Sequence, residues 1–323
     1  MENRIMHATL LLIALIFQVN SAIAEEKVDV FKLLKAKMEH ARGPARELTI
    51  DIRITDEQLK EADPHKVLAL LAPYEKDSEW PVRHMTHYCI VRVANIHPTT
   101  QVRQEVAKRL VEAEINGTDR GAFRLLMDFA SKDFNDQSKA LIRQALTQAN
   151  IGKVGGDPSI WLCGVANMQD QLPHLKKLLI KEVAYRSDPK MRHLPKWYYT
   201  SGWAARLARA RMGVKEDIDK CLELVDTVEN VDRKVTILLH HVGYIRQSAA
   251  IEYLKRYFLS DLRLSATNPG GLGEPVSNYL MPILADCLSN FPVKKRKARS
   301  YTKEEIELCR KWMSEQKKWV IIR

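Results

Sequence analysis

Cysteine is scarce: five in 323 residues, with no CxxC or CxxCH. That excludes a disulfide-framework protein, a zinc ribbon, a thioredoxin-type motif and c-type haem attachment. Glycine and proline, 13 of each, are too few for a collagenous or broadly disordered chain. Aromatic residues make up only 7%. GxSxG, HExxH and EF-hand loops do not occur, which removes the commonest serine-hydrolase, zinc-protease and calcium-loop signatures. An enzyme assembled from scattered carboxylates is not excluded by that. The glycine run at 270–273 lacks the Lys-Ser/Thr of a phosphate-cradling loop and follows no strand, so it reads as a connector.

Long apolar runs are also missing beyond the amino terminus. Residues 1–24 read MENRIMHATLLLIALIFQVNSAIA, with a ten-residue apolar run at 8–17 and a small-residue site at Ala22-Ile23-Ala24. The run is shorter than the roughly 20 residues that span a bilayer. The layout is that of a signal peptide cleaved after Ala24. A secreted or periplasmic protein without a transmembrane helix in its mature part is therefore expected. Lysine and arginine number 51 against 40 acidic residues, a net charge of +11.

What is present is helical periodicity. Phe31, Leu34 and Met38 form a stripe over 28–41. Ile50, Ile52 and Ile54 alternate with Asp51 and Arg53, predicting a short isolated extended segment near 49–54. From Thr55 onward, apolar stripes at spacing three to four recur between breaks at Asp63-Pro64, His97-Pro98, Gly117, Gly155-Gly156, Gly213, Asn230 and Asn268-Pro269. The fold class is all-α. Thr302 with Glu305 signals the start of a last helix, with Ile306, Cys309 and Met313 inward and Trp312 beside them.

Three stretches superpose: ANMQDQLPHLKKLLI from Ala166, MGVKEDIDKCLELVD from Met212 and IRQSAAIEYLKRYFL from Ile245. Leu172, Ile218 and Ile251 align, as do Leu175, Cys221 and Leu254, and then Leu179, Val225 and Phe258. Each follows another helix and a short polar turn, so the unit is helix, tight turn, helix. An earlier unit is 80–96 with 100–114. The pattern resembles HEAT repeats, best over 163–180 and 204–226, next over 242–259, and loosely over 56–291. The resemblance implies an irregular α-solenoid of stacked antiparallel pairs that binds other macromolecules. Physically, one pair cannot bury its apolar face, so neighbours stack and leave a ridged surface. The organisation expected is a signal peptide (1–24), an amino-terminal helix and extended segment (25–55), HEAT-like repeats (56–291) and a basic linker with a capping helix (292–323).

Candidate sites follow from composition. Trp197, Tyr198, Tyr199 and Trp203, with Arg206 and Arg209, form the densest aromatic cluster, in an irregular insert (183–202) where rings beside cations suit recognition of a sugar or peptide. Their plain alternative is covering the joint between helix pairs. Lys294, Lys295, Arg296, Lys297 and Arg299 open a carboxyl-terminal segment, 294–323, holding 11 basic and 4 acidic residues, and suit a polyanion. The plain alternative is a solvated loop. His84 and His87 share a helical face within reach of one metal, yet no third ligand is evident, and a surface or interface histidine pair is favoured. His240 and His241 are adjacent and point about 100° apart. The cysteines sit in apolar stripes and read as buried thiols. Asn116-Gly117-Thr118 is a glycosylation sequon that matters only in a eukaryotic secretory host. No cofactor or metal is expected. The expected function is an exported binding or scaffold protein engaging a protein or acidic polymer, nucleic acid being disfavoured by export. The alternative is a helical-toroid lyase or hydrolase acting on polysaccharide, with paired carboxylates in a cleft.

Overall fold

The structure is a computed structural model that describes residues 29–42, 54–117, 119, 121–149, 157–179, 196–199, 201–266, 273–296 and 300–322. The expected signal peptide at 1–24, residues 49–53 of the extended segment, most of the 183–202 insert, the glycine run up to Leu272, Lys297 and Arg299 lie outside the described residues, as does the side chain of Tyr199. Among the described residues the fold is all-helical. No strand forms, and β pairing is confined to two isolated bridges, Arg263 with Pro275 and Leu288 with Ile321. No helix among them is long and apolar enough to cross a membrane.

The chain divides into two compact units, residues 1–98 and 99–323. The first is organised around one long helix. Its helices are α1 (Val30–Arg42), α2 (Asp56–Glu61), α3 (Pro64–Leu71) and α4 (Trp80–Ile96), with a 3-10 turn at Ala72–Lys76. The first three and the 3-10 turn all pack on α4. Leu34, Met38, Leu68, Leu71, Val82 and Ile90 fill that core. Ile54 is buried in irregular backbone just before Thr55, whose hydroxyl and Gln58 close a capping box at the start of α2. His87 is buried and His84 stacks on Trp80 at 5.0 Å. Both imidazoles are thus part of the α4 surroundings.

The second unit contains α5 (Thr100–Ile115), α6 (Ala122–Leu126), α7 (Asp136–Thr147), α8 (Pro158–Val165), α9 (Leu172–Leu179), α10 (Ser201–Arg211) and α11 (Lys215–Asp226). Then follow α12 (Val231–Arg233), a π-helical turn (Lys234–Leu238), α13 (Leu239–Ile245), α14 (Ser248–Leu259), α15 (Val276–Cys287) and α16 (Lys303–Glu315). The earlier proposed pair, 80–96 with 100–114, corresponds to α4 and α5, which fall in different units. In the second unit α8 packs on α10, α10 on α13, and α13 on α15; α11 packs on α14, and α14 on α16. Of the aligned apolar positions, Leu175, Cys221 and Leu254 are each fully buried, while Leu172 and Leu179 are half-buried.

Helix α10 is the centre of this unit. Its sequence SGWAARLARAR is rich in alanine, which lets neighbours approach closely, and only Gly202 and Arg206 escape full burial. Gly164 of α8 lies against α10. A Cβ there would lie 2.2 Å from the Tyr244 hydroxyl and 2.9 Å from the Ala208 Cα.

The pairs α8/α9, α10/α11 and α13/α14 are each closed by a turn containing one residue with positive φ: Asn167 (52°), Gly213 (93°) and Arg246 (48°). In the first two, a 6→1 bond seals the helix end, Met168 N–H to the Cys163 carbonyl at 3.0 Å and Val214 N–H to the Arg209 carbonyl at 3.1 Å, as in a Schellman motif. Asn tolerates this conformation better than most residues and Gly adopts it without strain.

Two substitutions test this packing. Gly164→Ala should lower stability by about 1–3 kcal/mol, because the methyl group forces α8 away from α10. Gly213→Ala should cost about 1–2 kcal/mol through its left-handed backbone. Both are read as shifts in the urea midpoint without a change of slope.

Candidate functional site

Trp203 of α10 is buried and donates its indole N–H to Nδ1 of His241 on α13 at 2.9 Å. Tyr198 stacks on the same imidazole at 5.2 Å, nearly parallel, and Trp161 of α8 meets it edge-on at 5.1 Å. Trp197 lies 4.6 Å from Trp203. The rings therefore converge on His241, with Trp203 at the base and Trp197 and Tyr198 half-buried above it. Burial pushes the His241 pKa down to about 3, helped by the neighbouring His240. The imidazole is neutral and accepts from Trp203.

Arg206 and Arg209 do not join these rings. They face Asp217 of α11, at 3.0 and 2.7 Å, and Arg209 also donates to the Leu172 carbonyl of α9 at 3.1 Å. Asp217 and Arg209 are both buried, so the pair is a strut between three helices. Removing one partner of such a pair leaves a buried uncompensated charge.

The basic carboxyl-terminal segment is partly tied down in the same way. Lys295 bridges Asp128 at 2.7 Å and Asp286 at 3.0 Å. Arg296 pairs with Glu305 and lies over the Tyr301 ring at 4.7 Å. Lys294 is exposed.

A cavity of about 220 Å³ lies at the rim where the three helix-pair turns meet. Its wall comprises Ser131, Gly164, Val165, Asn167, Gln169, Arg211, Met212, Arg246 and Gln247. Two glutamines knit the turns together. Gln169 Nε2 donates to the Met212 carbonyl at 3.0 Å, and Gln247 Nε2 to the Arg211 carbonyl at 2.8 Å. One bond ends on the last carbonyl of α10 and the other on the carbonyl just past it, neither of which has a partner within the helix.

Two guanidiniums dominate this wall, and neither was singled out by the sequence. Arg246 is buried and pairs with Asp286 at 2.8 Å, while donating to the Met127 and Ile322 carbonyls at 3.2 and 3.1 Å. Arg211 is 7% exposed. It donates from Nη1 to the Tyr244 carbonyl at 2.8 Å and lies 4.8 Å from the centre of the Tyr244 ring. Burial and the charge of Arg246 push its pKa down to about 10, so it remains protonated at neutral pH. The Tyr244 hydroxyl donates to the Trp161 carbonyl at 2.5 Å, linking this wall to the aromatic cluster. The lining holds cations and amides but no carboxylate, so it lacks the acid pair of polysaccharide hydrolysis.

All five cysteines are free and buried. Burial pushes Cys163 and Cys287 up to about 12 and Cys309 to about 11. Such thiols stay protonated and are poor nucleophiles. Among the described residues no group of three or more His, Cys, Asp or Glu is placed to hold a metal ion.

Compared with family models, curated proteins and solved structures, the chain gives no match in any of the three.

The His241 arrangement has a consequence for pH. Its folded pKa of about 3 lies below the ordinary 6.5, so the unfolded chain binds the proton first and stability falls as pH drops from 6.5 toward 3. From pH 7 to pH 5 the loss from this group should reach about 2 kcal/mol. Denaturation midpoints of wild type and His241→Gln at both pH values check this, the variant showing a smaller difference.

Proposed function

We propose that the second unit is a stack of HEAT-like antiparallel helix pairs, and that the chain is an exported binding or scaffold protein without catalytic chemistry of its own. The observation that carries the reading is the equivalence of Asn167, Gly213 and Arg246. Each is the second residue of one of the three superposable stretches, and each has positive φ. Coincident apolar spacing in an irregular bundle gives no reason for the backbone to repeat as well. The order of packing supports the same reading, since the first helices α8, α10 and α13 pack in succession. A repeated pair leaves an extended ridged surface whose ordinary use is to hold a macromolecule.

The partner we infer is a protein or an acidic polymer. Half-buried Trp197 and Tyr198 offer rigid aromatic area next to the stack, and the net charge of +11 favours an acidic partner. Export rests on the composition of residues 1–24, with secretion or a periplasmic location as its outcome.

The tests are separate for each part. Protein recovered outside the cytoplasm should begin at Glu25 by amino-terminal sequencing; full-length protein held in the cytoplasm sinks the export reading. Incubation with neutral and acidic polysaccharides should release no new reducing or unsaturated ends, and their release would install the toroid-enzyme reading instead. In a pull-down from the extracytoplasmic fraction, Trp197→Ala/Tyr198→Ala should lose a partner that wild type retains. Equal recovery of every partner removes the aromatic patch from the binding surface.

A further inference from the structure

The cavity at the rim of the three turns presents an unresolved charge. Buried charges are ordinarily paired, because desolvating an ion costs several kcal/mol. The cavity wall holds two cations, Arg211 and Arg246, and no carboxylate, and Arg246 is paired with Asp286 outside the lining. The excess is one positive charge. It falls on Arg211, because Asp286 is engaged by Arg246 and Lys295 and Arg211 forms no ion pair among the described residues. Its Nη2 is buried and has no hydrogen-bond partner among the described residues. The guanidinium is held in place by the Tyr244 carbonyl and ring, so its orientation is fixed before any ligand arrives.

We propose that this cavity is a binding site for a single carboxylate group, received by Arg211 with Arg246 across from it. The charge tally favours a monoanion over phosphate or sulfate, which would bring a second negative charge. The planar guanidinium matches a carboxylate's geometry. A cavity of about 220 Å³ is smaller than the roughly 300–1,000 Å³ of drug-sized ligand pockets. It takes one head group or one side chain. The amides of Gln169 and Gln247 and the hydroxyl of Ser131 complete a polar wall, while Val165 and Met212 give the ligand's carbon stem an apolar side. The carboxylate belongs either to a small organic acid or to an acidic side chain or carboxyl terminus of a peptide. The site stands independently of whether the helix pairs are HEAT-like.

The test uses the full mature chain at constant ionic strength. Acetate, succinate, phosphate and sulfate, and a glutamate-rich peptide beside its glutamine counterpart, are titrated by calorimetry. Arginine side-chain NMR resonances are followed in parallel. Acetate or succinate should bind and move the Arg211 resonance; preference for the glutamate peptide over both small acids assigns the source as peptide. Arg211→Met keeps the aliphatic stem and removes the charge, and it should weaken carboxylate binding by about tenfold or more. Without ligand, that variant should melt no lower than wild type, since it removes an uncompensated buried charge. Arg211→Gln, which also removes the charge, supplies the same comparison if the methionine variant does not fold. Tighter binding of phosphate or sulfate overturns the carboxylate assignment. Absence of binding by every probe, or unchanged binding in both variants, overturns the site.

Discussion

Helix pairing in the second unit depends on a tight reversal of the chain at a fixed point in each pair. A helix end leaves carbonyls without partners, and burying it uncapped is costly. The turns after α8 and α10 solve this with one left-handed residue followed by a 6→1 bond. Because the reversal occurs at the same point in each superposable stretch, the second helix leaves with the same phase. Leu175, Cys221 and Leu254 then reach equivalent buried positions. Slipping the reversal by one residue would rotate each second helix by about 100° and expose that stripe.

The third turn accomplishes this at a greater local cost. Arg246 has neither the freedom of glycine nor the local hydrogen bonding of asparagine, yet it occupies the left-handed region. Its side chain explains why. From that position the guanidinium reaches Asp286, the Met127 carbonyl and the Ile322 carbonyl. One residue therefore joins the turn to α15, to the loop after α6 and to the end of the described chain. The strain of roughly 1–2 kcal/mol for a non-glycine residue there is offset by charge-assisted hydrogen bonds to three separate segments. The π-helical turn at Lys234–Leu238 just before α13 is a second local irregularity in the same helix.

The fold class and the helix-pair boundaries were legible because apolar periodicity and turn residues are local signals. The aligned stripe could be read without knowing what it packs against. The candidate residues were less legible, because their roles depend on helical phase and on partners distant in sequence. Trp203 and Arg209 are six residues apart, which places them about 120° apart around α10. One meets His241 and the other meets Asp217, so a cluster in sequence becomes two separate structures. Arg211 and Arg246 look like ordinary solvated cations at helix ends. Only their burial by neighbouring turns marks them out, and no spacing rule anticipates that. Asp286 is similarly invisible, and Lys295 was legible only as part of a basic run, since their meeting with Arg246 and Asp128 spans separate parts of the second unit.

The five cysteines are all unpaired and buried, and packing keeps them reduced. Each thiol lies in an apolar stripe, and Cys163, Cys221 and Cys309 are completely shielded. Oxidation requires a thiolate and access to an oxidant. Burial suppresses both, since it raises each thiol's pKa and blocks approach. Cys287 adds a specific contact, donating to the Gly243 carbonyl at 3.2 Å across the α13–α15 contact. The same close packing explains Gly243, where a Cβ would lie 2.4 Å from an Ile283 methyl group. Sulfur here acts as a small apolar filler between closely spaced helices, so protection from oxidation follows from tight helix packing. Loosening α13 against α15 would expose the Cys287 thiol and disturb the neighbouring Arg246–Asp286 pair together, coupling redox sensitivity to the charged wall of the cavity.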